Sequence, residues 1–275
     1  MADLTRILIR FSHVAILGSA LIPGSYAASL IAHVEAPSVE ATTVGGATTT
    51  TFDTLTPGTY TSPLSTSIGV YNATFGPAYA IVQANSYGGA GNTGSYFAVG
   101  VQSGSEGPVL LTLNTPANFF GFWWSAGDNA NSISFYSAGS LVGTFTSSQI
   151  VSLLPNTPGT TVTAINQSVY NTTDYYNNPN GGDAGEPFAY VDVIASGVTF
   201  EQVAFNNASL GSGFESDNHS VALNVTGPPG TDVLVENIPL SDTAAPEPAT
   251  FGLLGGGLTI FSLLLRKLQG RSKVR

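Results

Sequence analysis

Residues 119–145 read FFGFWWSAGDNANSISFYSAGSLVGTF. Three short runs of aromatic and aliphatic residues, 119–124, 132–136 and 141–145, are separated by Ser, Ala, Gly, Asp and Asn, a composition that turns a chain. Runs this short do not fill a helical period, so they predict strands. Alternation along 119–124 sends Phe120, Phe122 and Trp124 to one face and Phe119 and Trp123 to the other. One reading places these rings in a packed core; the other leaves an outward Trp123 or Trp124 as a platform on which a sugar ring stacks.

The same punctuation recurs on both sides. Further strands are expected over 51–55, 79–82, 96–101, 109–113, 188–194, 198–205, 219–225 and 233–238, with Gly, Asn, Pro and Ser in nearly every gap. The expectation is an all-β fold, an antiparallel β-sandwich or jelly roll occupying residues 46–242. One helix is expected over 147–154, where Ser147 and Ser148 supply cap chemistry and Pro155 stops it. Residues 28–45 read as a flexible lead. Residues 166–187 (NQSVYNTTDYYNNPNGGDAGEP) read as a long polar loop, in which Tyr175 and Tyr176 are further candidates for sugar stacking.

Charge divides the chain more sharply than hydropathy does. Its 275 residues hold 17 Asp and Glu against seven cations: Arg6, Arg10, Arg266, Lys267, Arg271, Lys273 and Arg275. Residues 28–246 therefore keep 15 of the 17 acids and no Lys or Arg, a formal charge of about −15. Such a surface has no cations with which to displace counterions from phosphates, so nucleic acid is excluded as a partner. Every carboxylate in it must be solvated, hydrogen-bonded by neutral donors or bound to a metal. With no Cys there is no disulfide, thiol nucleophile or Cys-ligated zinc.

The cations belong to two segments that read as addresses. Arg6 and Arg10 precede an apolar run over 11–22, a Pro23-Gly24 break and Ser25-Tyr26-Ala27, the three-part pattern of a secretory signal with cleavage after Ala27. At the other end Pro246-Glu247-Pro248 is followed by 17 uncharged residues, 249–265, and then by the basic segment 266–275 opening with Arg266-Lys267. Seventeen residues at ~1.5 Å each reach ~26 Å, a short membrane-spanning helix whose following cations hold it on the cytoplasmic side. The two prolines remove backbone donors around Glu247 and keep that strand extended and accessible. A plain transmembrane stalk is the alternative.

A Pro-Glu-Pro triplet, a short glycine-containing apolar helix and a basic cluster, in that order, resemble the PEP-CTERM sorting signal of Gram-negative bacteria. The body resembles exosortase-dependent surface proteins through Gly88-Gly89-Ala90-Gly91, residues 120–128 (FGFWWSAGD), residues 182–187 (GDAGEP) and residues 214–219 (FESDNH). The resemblance implies recognition at Pro246, Glu247 and Pro248 by a membrane-embedded exosortase, after a signal peptidase has acted. It also implies transient inner-membrane anchoring, a final place at the cell surface or beyond it, and an association with extracellular polysaccharide.

The remaining candidates concern chemistry. A hydrolytic triad would need a positioned His beside a nucleophile, and the body offers only His33 and His219 with no nucleophile elbow. Two carboxylates suffice for a glycosidase, with Asp183/Glu186 and Glu215/Asp217 as nominal pairs. The leading expectation is a non-catalytic structural or interaction protein needing no cofactor; a calcium-stabilised carbohydrate-binding or adhesion module is the alternative, and a glycosidase a remote one. Calcium accepts carboxylates and amide oxygens on flexible loops, which nominates Asp183, Glu186, Glu215, Asp217 and Asn218. Residues 214–221 resemble the final strand of jelly-roll carbohydrate-binding modules, and that resemblance implies Asp217 as the calcium ligand. Asp217 and Asn218 equally suit an Asx turn at a strand entry.

Overall fold

The computed structural model describes residues 28–73, 78–127, 129–176, 183 and 185–237. The expected signal peptide with Ala27, and the expected tail with Pro246, Glu247, Pro248, Arg266 and Lys267, lie outside them. Among the described residues no helix is long and apolar enough to cross a membrane, and the expected span 249–265 is not among those residues.

In chain order the strands are β1 (Ser29–Val34), β2 (Thr48–Thr50), β3 (Gly58–Tyr60), β4 (Leu64–Ser65), β5 (Gly69–Ala73), β6 (Tyr79–Gln83), β7 (Ser95–Gly100), β8 (Val109–Ala117) and β9 (Phe119–Ser125). They continue with β10 (Asn131–Ser137), β11 (Ser140–Thr146), β12 (Thr161–Thr163), β13 (Val169–Asn171), β14 (Ala189–Ser196), β15 (Phe200–Asn207), β16 (Gly213–Ala222) and β17 (Leu234–Asn237). The fold is all-β and its ladders are antiparallel. A nine-stranded sheet runs β17-β1-β14-β9-β16-β7-β6-β3, with β2 also paired to β16, and a six-stranded sheet runs β11-β10-β15-β8-β5-β4. The hairpin β12-β13 stands apart.

Alternation decides what fills the space between the two large sheets. Phe120, Phe122 and Trp124 from β9, Val191 and Val193 from β14, and Phe97 and Val99 from β7 join Tyr71, Phe135, Val203 and Phe205 of the six-stranded sheet in one buried core. At its centre lies His219, fully buried, stacked on Phe205 with ring centroids 4.9 Å apart. Its two ring nitrogens lie 2.7 Å from the Tyr71 hydroxyl and 2.9 Å from Ser216 Oγ. Burial lowers the imidazole pKa to about 3, so His219 packs as a neutral aromatic whose polar atoms are satisfied.

The outer face of the nine-stranded sheet carries a second buried layer, in which Trp123, Ala126, Phe188 and Tyr190 cluster. The loops holding residues 90, 126 and 188 cover it, so this sheet carries a buried apolar patch on its outer side as well as its core side. No Lys or Arg occurs among the described residues, and the carboxylates meet only neutral donors.

Three expectations are corrected. Residues 28–45 contain a strand, β1, hydrogen-bonded between β14 and β17 and buried through Leu30, Ala32 and Val34. The period of two in Ser29–Val34 is real but brief, and the polar residues after it hide it in composition. Residues 51–55 form a turn instead of the first strand, although Phe52 there is wholly buried. The polar stretch 166–187 contains β13 and a 3-10 turn, Thr172–Tyr176. The expected helix is present as α1 (Ser147–Leu153), opened by Gln149 Oε1 accepting the Thr146 N–H at 2.8 Å.

Candidate functional site

β16 organises the outer face. Phe214 and Ser216 point into the core, so Glu215 and Asp217 point outward. At Asp217–His219 the ladder with β9 shifts register, and Asn218 takes φ of 50°, a left-handed conformation that Asn tolerates better than most residues. The neighbour on the other edge changes at this bulge, from β7, which pairs with residues 213–216, to β2, which pairs with residues 219–221. The gap between those partners admits the loop that carries Ala90 and Gly91.

Two carboxylate-lined recesses result. One, of about 360 Å³, is walled by Ser38, Glu40, Asp53, Gly91, Asp217 and Asn218. Asp217 Oδ2 accepts the Ala90 N–H at 2.9 Å, and its Oδ1 accepts the Asn218 N–H at 2.7 Å. Asp53 Oδ1 accepts the Ser95 N–H at 3.3 Å, Glu40 Oε2 accepts the Gly91 N–H, and Asn218 Nδ2 donates to the Glu40 carbonyl at 2.8 Å. Burial pushes the Asp217 pKa up to about 7; the two backbone donors oppose the rise, and the charges of Asp53 and Glu40 add to it. Burial also raises Glu40, partly offset by the Gly91 N–H.

The other recess, of about 550 Å³, falls in the size range of small-molecule sites. Asp183, Glu186 and Glu215 line it together with Asn85, Gln102, Tyr87 and Tyr96. Gln102 Nε2 donates to Glu215 Oε1, and Gly213 leaves the room in which that amide packs over the carboxylate. Asp183 is raised by burial. Half of the Tyr87 surface remains open to solvent beside this recess.

The five nominated calcium ligands thus divide. Asp183, Glu186 and Glu215 share one recess, while Asp217 and Asn218 share the other with Glu40 and Asp53. Sequence reasoning missed Glu40 and Asp53, because β2 and the segment after β1 bring them to β16 from far along the chain. Among the described residues no three His, Asp or Glu side chains converge closely enough to hold a metal ion.

The four nominated stacking rings are corrected as well. Trp123 and Trp124 are 2% and 1% exposed, one in the outer layer and one in the core. Tyr175 and Tyr176 are buried, and their hydroxyls donate to the carbonyls of Glu35 and Leu154, each at 2.6 Å. None of the four offers a face to a sugar; among the described residues the exposed ring is Tyr87. No family model matches the chain, and no curated protein matches it.

Proposed function

We propose that this chain is an exported, non-catalytic β-sandwich protein of the cell surface or extracellular matrix. On this reading a signal peptidase acts after Ala27 and an exosortase acts at Pro246, Glu247 and Pro248, with the apolar segment 249–265 anchoring the chain in the inner membrane until then. The sandwich itself is read as a jelly-roll variant. The observation that carries the proposal is the segregation of charge: all seven cations lie in the two flanking segments, beside the patterns that need them, and none lies in residues 28–246. Intact-mass measurement of the protein recovered from the cell surface and the medium tests it. The expected species begins at Ala28 and ends near Pro248; recovery only of chains still carrying residues 249–275 would overturn processing.

A second reading, a cation-stabilised module that binds extracellular polysaccharide, is favoured by the recess at β16. Asp53 and Glu40 each lie within electrostatic reach of Asp217, with backbone N–H groups and an Asn as the other partners of these carboxylates. A hard divalent cation would relieve that repulsion if the side chains drew together around it, since as placed they do not converge on one ion. Calcium at millimolar concentration should then raise the melting temperature by several degrees above pH 7, and chelation should reverse the rise. An unchanged melting temperature would remove calcium from the account.

A further inference from the structure

Glu35 follows β1 directly, and its N–H donates to the Tyr190 carbonyl of β14 at 2.9 Å. This sets its side chain beside that of Asp192, two residues further along β14 on the same outward face. Both are enclosed, Glu35 at 1% exposure and Asp192 at 0%. Glu35 Oε1 accepts both the N–H and the hydroxyl of Thr43 at 2.7 Å. Glu35 Oε2 and both oxygens of Asp192 are buried with no hydrogen-bond donor in bonding geometry, although the Thr42 hydroxyl lies close enough to Asp192 to favour its ionised form.

The surroundings supply no countercharge. His33, the cross-strand partner of Asp192, turns Nδ1 to Thr231 Oγ1 at 2.9 Å, and burial lowers its pKa to about 4. From β14 comes Tyr190, whose hydroxyl donates to the Asn218 carbonyl at 2.8 Å. From the 3-10 turn come Tyr175, bonded to the Glu35 carbonyl, and Asp174; Glu40 belongs to the segment above. On β9 the residue opposite Asp192 is Gly121, whose missing side chain leaves the space that Asp192 Oδ1 occupies. Two touching carboxylates in such a place cannot both be ionised without a desolvation cost of several kcal/mol per ion. A proton between them neutralises one and joins two of the orphaned oxygens.

We propose that Glu35 and Asp192 share one proton, and that this proton latches residues 36–47 onto the outer face of the nine-stranded sheet, so that its loss as pH rises releases the segment. Burial, followed by the charge of Glu35, pushes the Asp192 carboxyl well above the usual carboxylate range. A raised folded-state value means that the latch is closed at low pH and opens as pH climbs through the titration of the pair. The segment it holds supplies Ser38, Glu40 and Ala41 to the Asp217 recess, so opening would dismantle one wall of that recess. The latch goes beyond the export reading and does not depend on it.

Hydrogen exchange of the full chain, followed by mass spectrometry between pH 5 and 9 and corrected for intrinsic exchange, tests the latch. Protection of the segment containing the Thr43 amide should fall at least tenfold with rising pH in the wild type. In Asp192→Asn, whose amide donates to Glu35 in place of the proton, protection should stay level. Glu35→Gln should behave alike and serves if the first variant does not fold. Protection that is level in the wild type, or that falls in parallel in both proteins, would overturn the proposal. So would protection lost to a chelator at constant pH, which would put a metal ion between the carboxyls. Independently, with Asp217→Asn as background to remove the other raised carboxyl, the infrared carbonyl band of a protonated carboxyl should persist well above the ordinary carboxylate range and vanish when Glu35→Gln is added; its absence from that background would refute the shared proton.

Discussion

Asp217 combines near-complete burial with two backbone donors and two acidic neighbours, which makes its protonation a measurable part of stability. Its folded-state pKa, up to about 7, lies above that of an unfolded Asp near 3.8. The stabilising proton is therefore fully present below about pH 4 and is lost as pH rises through 7, a swing of a few kcal/mol. Asp217→Asn should melt below the wild type at pH 4.5, because one of two backbone N–H groups loses its acceptor at ~1–3 kcal/mol. By pH 8 the difference should vanish or reverse; a constant gap across that range would show that Asp217 does not titrate with folding. The sequence marked Asp217 and Asn218 through a local Asx pattern, which adjacent residues suffice to display. It could not mark Glu40 or Asp53, whose proximity is created by strand pairing.

At the scale of the element, the β16 bulge depends on what Asn218 does with a left-handed backbone and a side chain that reaches the Glu40 carbonyl. Asn218→Ala loses the hydrogen bond and strains the backbone, at about 2–3 kcal/mol together. Asn218→Gly keeps the conformation and should cost about 1–2 kcal/mol. Chemical denaturation of both variants orders them; equal losses would mean that strain at the bulge is negligible. In α1, Gln149→Ala removes the acceptor of the Thr146 N–H and should cost about 1 kcal/mol. Elements were legible where the pattern was long or strongly punctuated: 119–124, 132–136 and 141–145 all appear as strands within a residue or two of their expected limits. β1 was not, because six residues between polar neighbours carry too few alternations. The outer layer was not either, because alternation separates the two faces of a strand without saying that a loop returns to cover the second.

For the whole molecule, the buried histidines and buried acids oppose one another. His33 and His219 have folded-state values lowered to about 4 and 3, so they favour the folded state at higher pH and weaken it as pH falls below about 6.5. Asp217 and Asp192 are raised and act in the other direction. Each group contributes about 1.4 kcal/mol per pH unit while it titrates, so the slopes of the histidines and of the raised acids offset one another. The wild-type melting temperature should thus change by only a few degrees between pH 4.5 and 6.5. Asp217→Asn should expose the histidine slope and melt progressively earlier on acidification; a steep wild-type profile would contradict the cancellation.

The body's want of Lys and Arg has a further consequence, for its resistance to proteolysis. Proteases whose specificity pocket demands a cationic side chain at the scissile bond find no cleavage site anywhere between Arg10 and Arg266, folded or unfolded. A sandwich of this composition would persist among trypsin-like enzymes even when its loops open or its strands fray. Its degradation is left to proteases that read aromatic, aliphatic or acidic residues, and the two sheets keep most of the described aromatic ones inside.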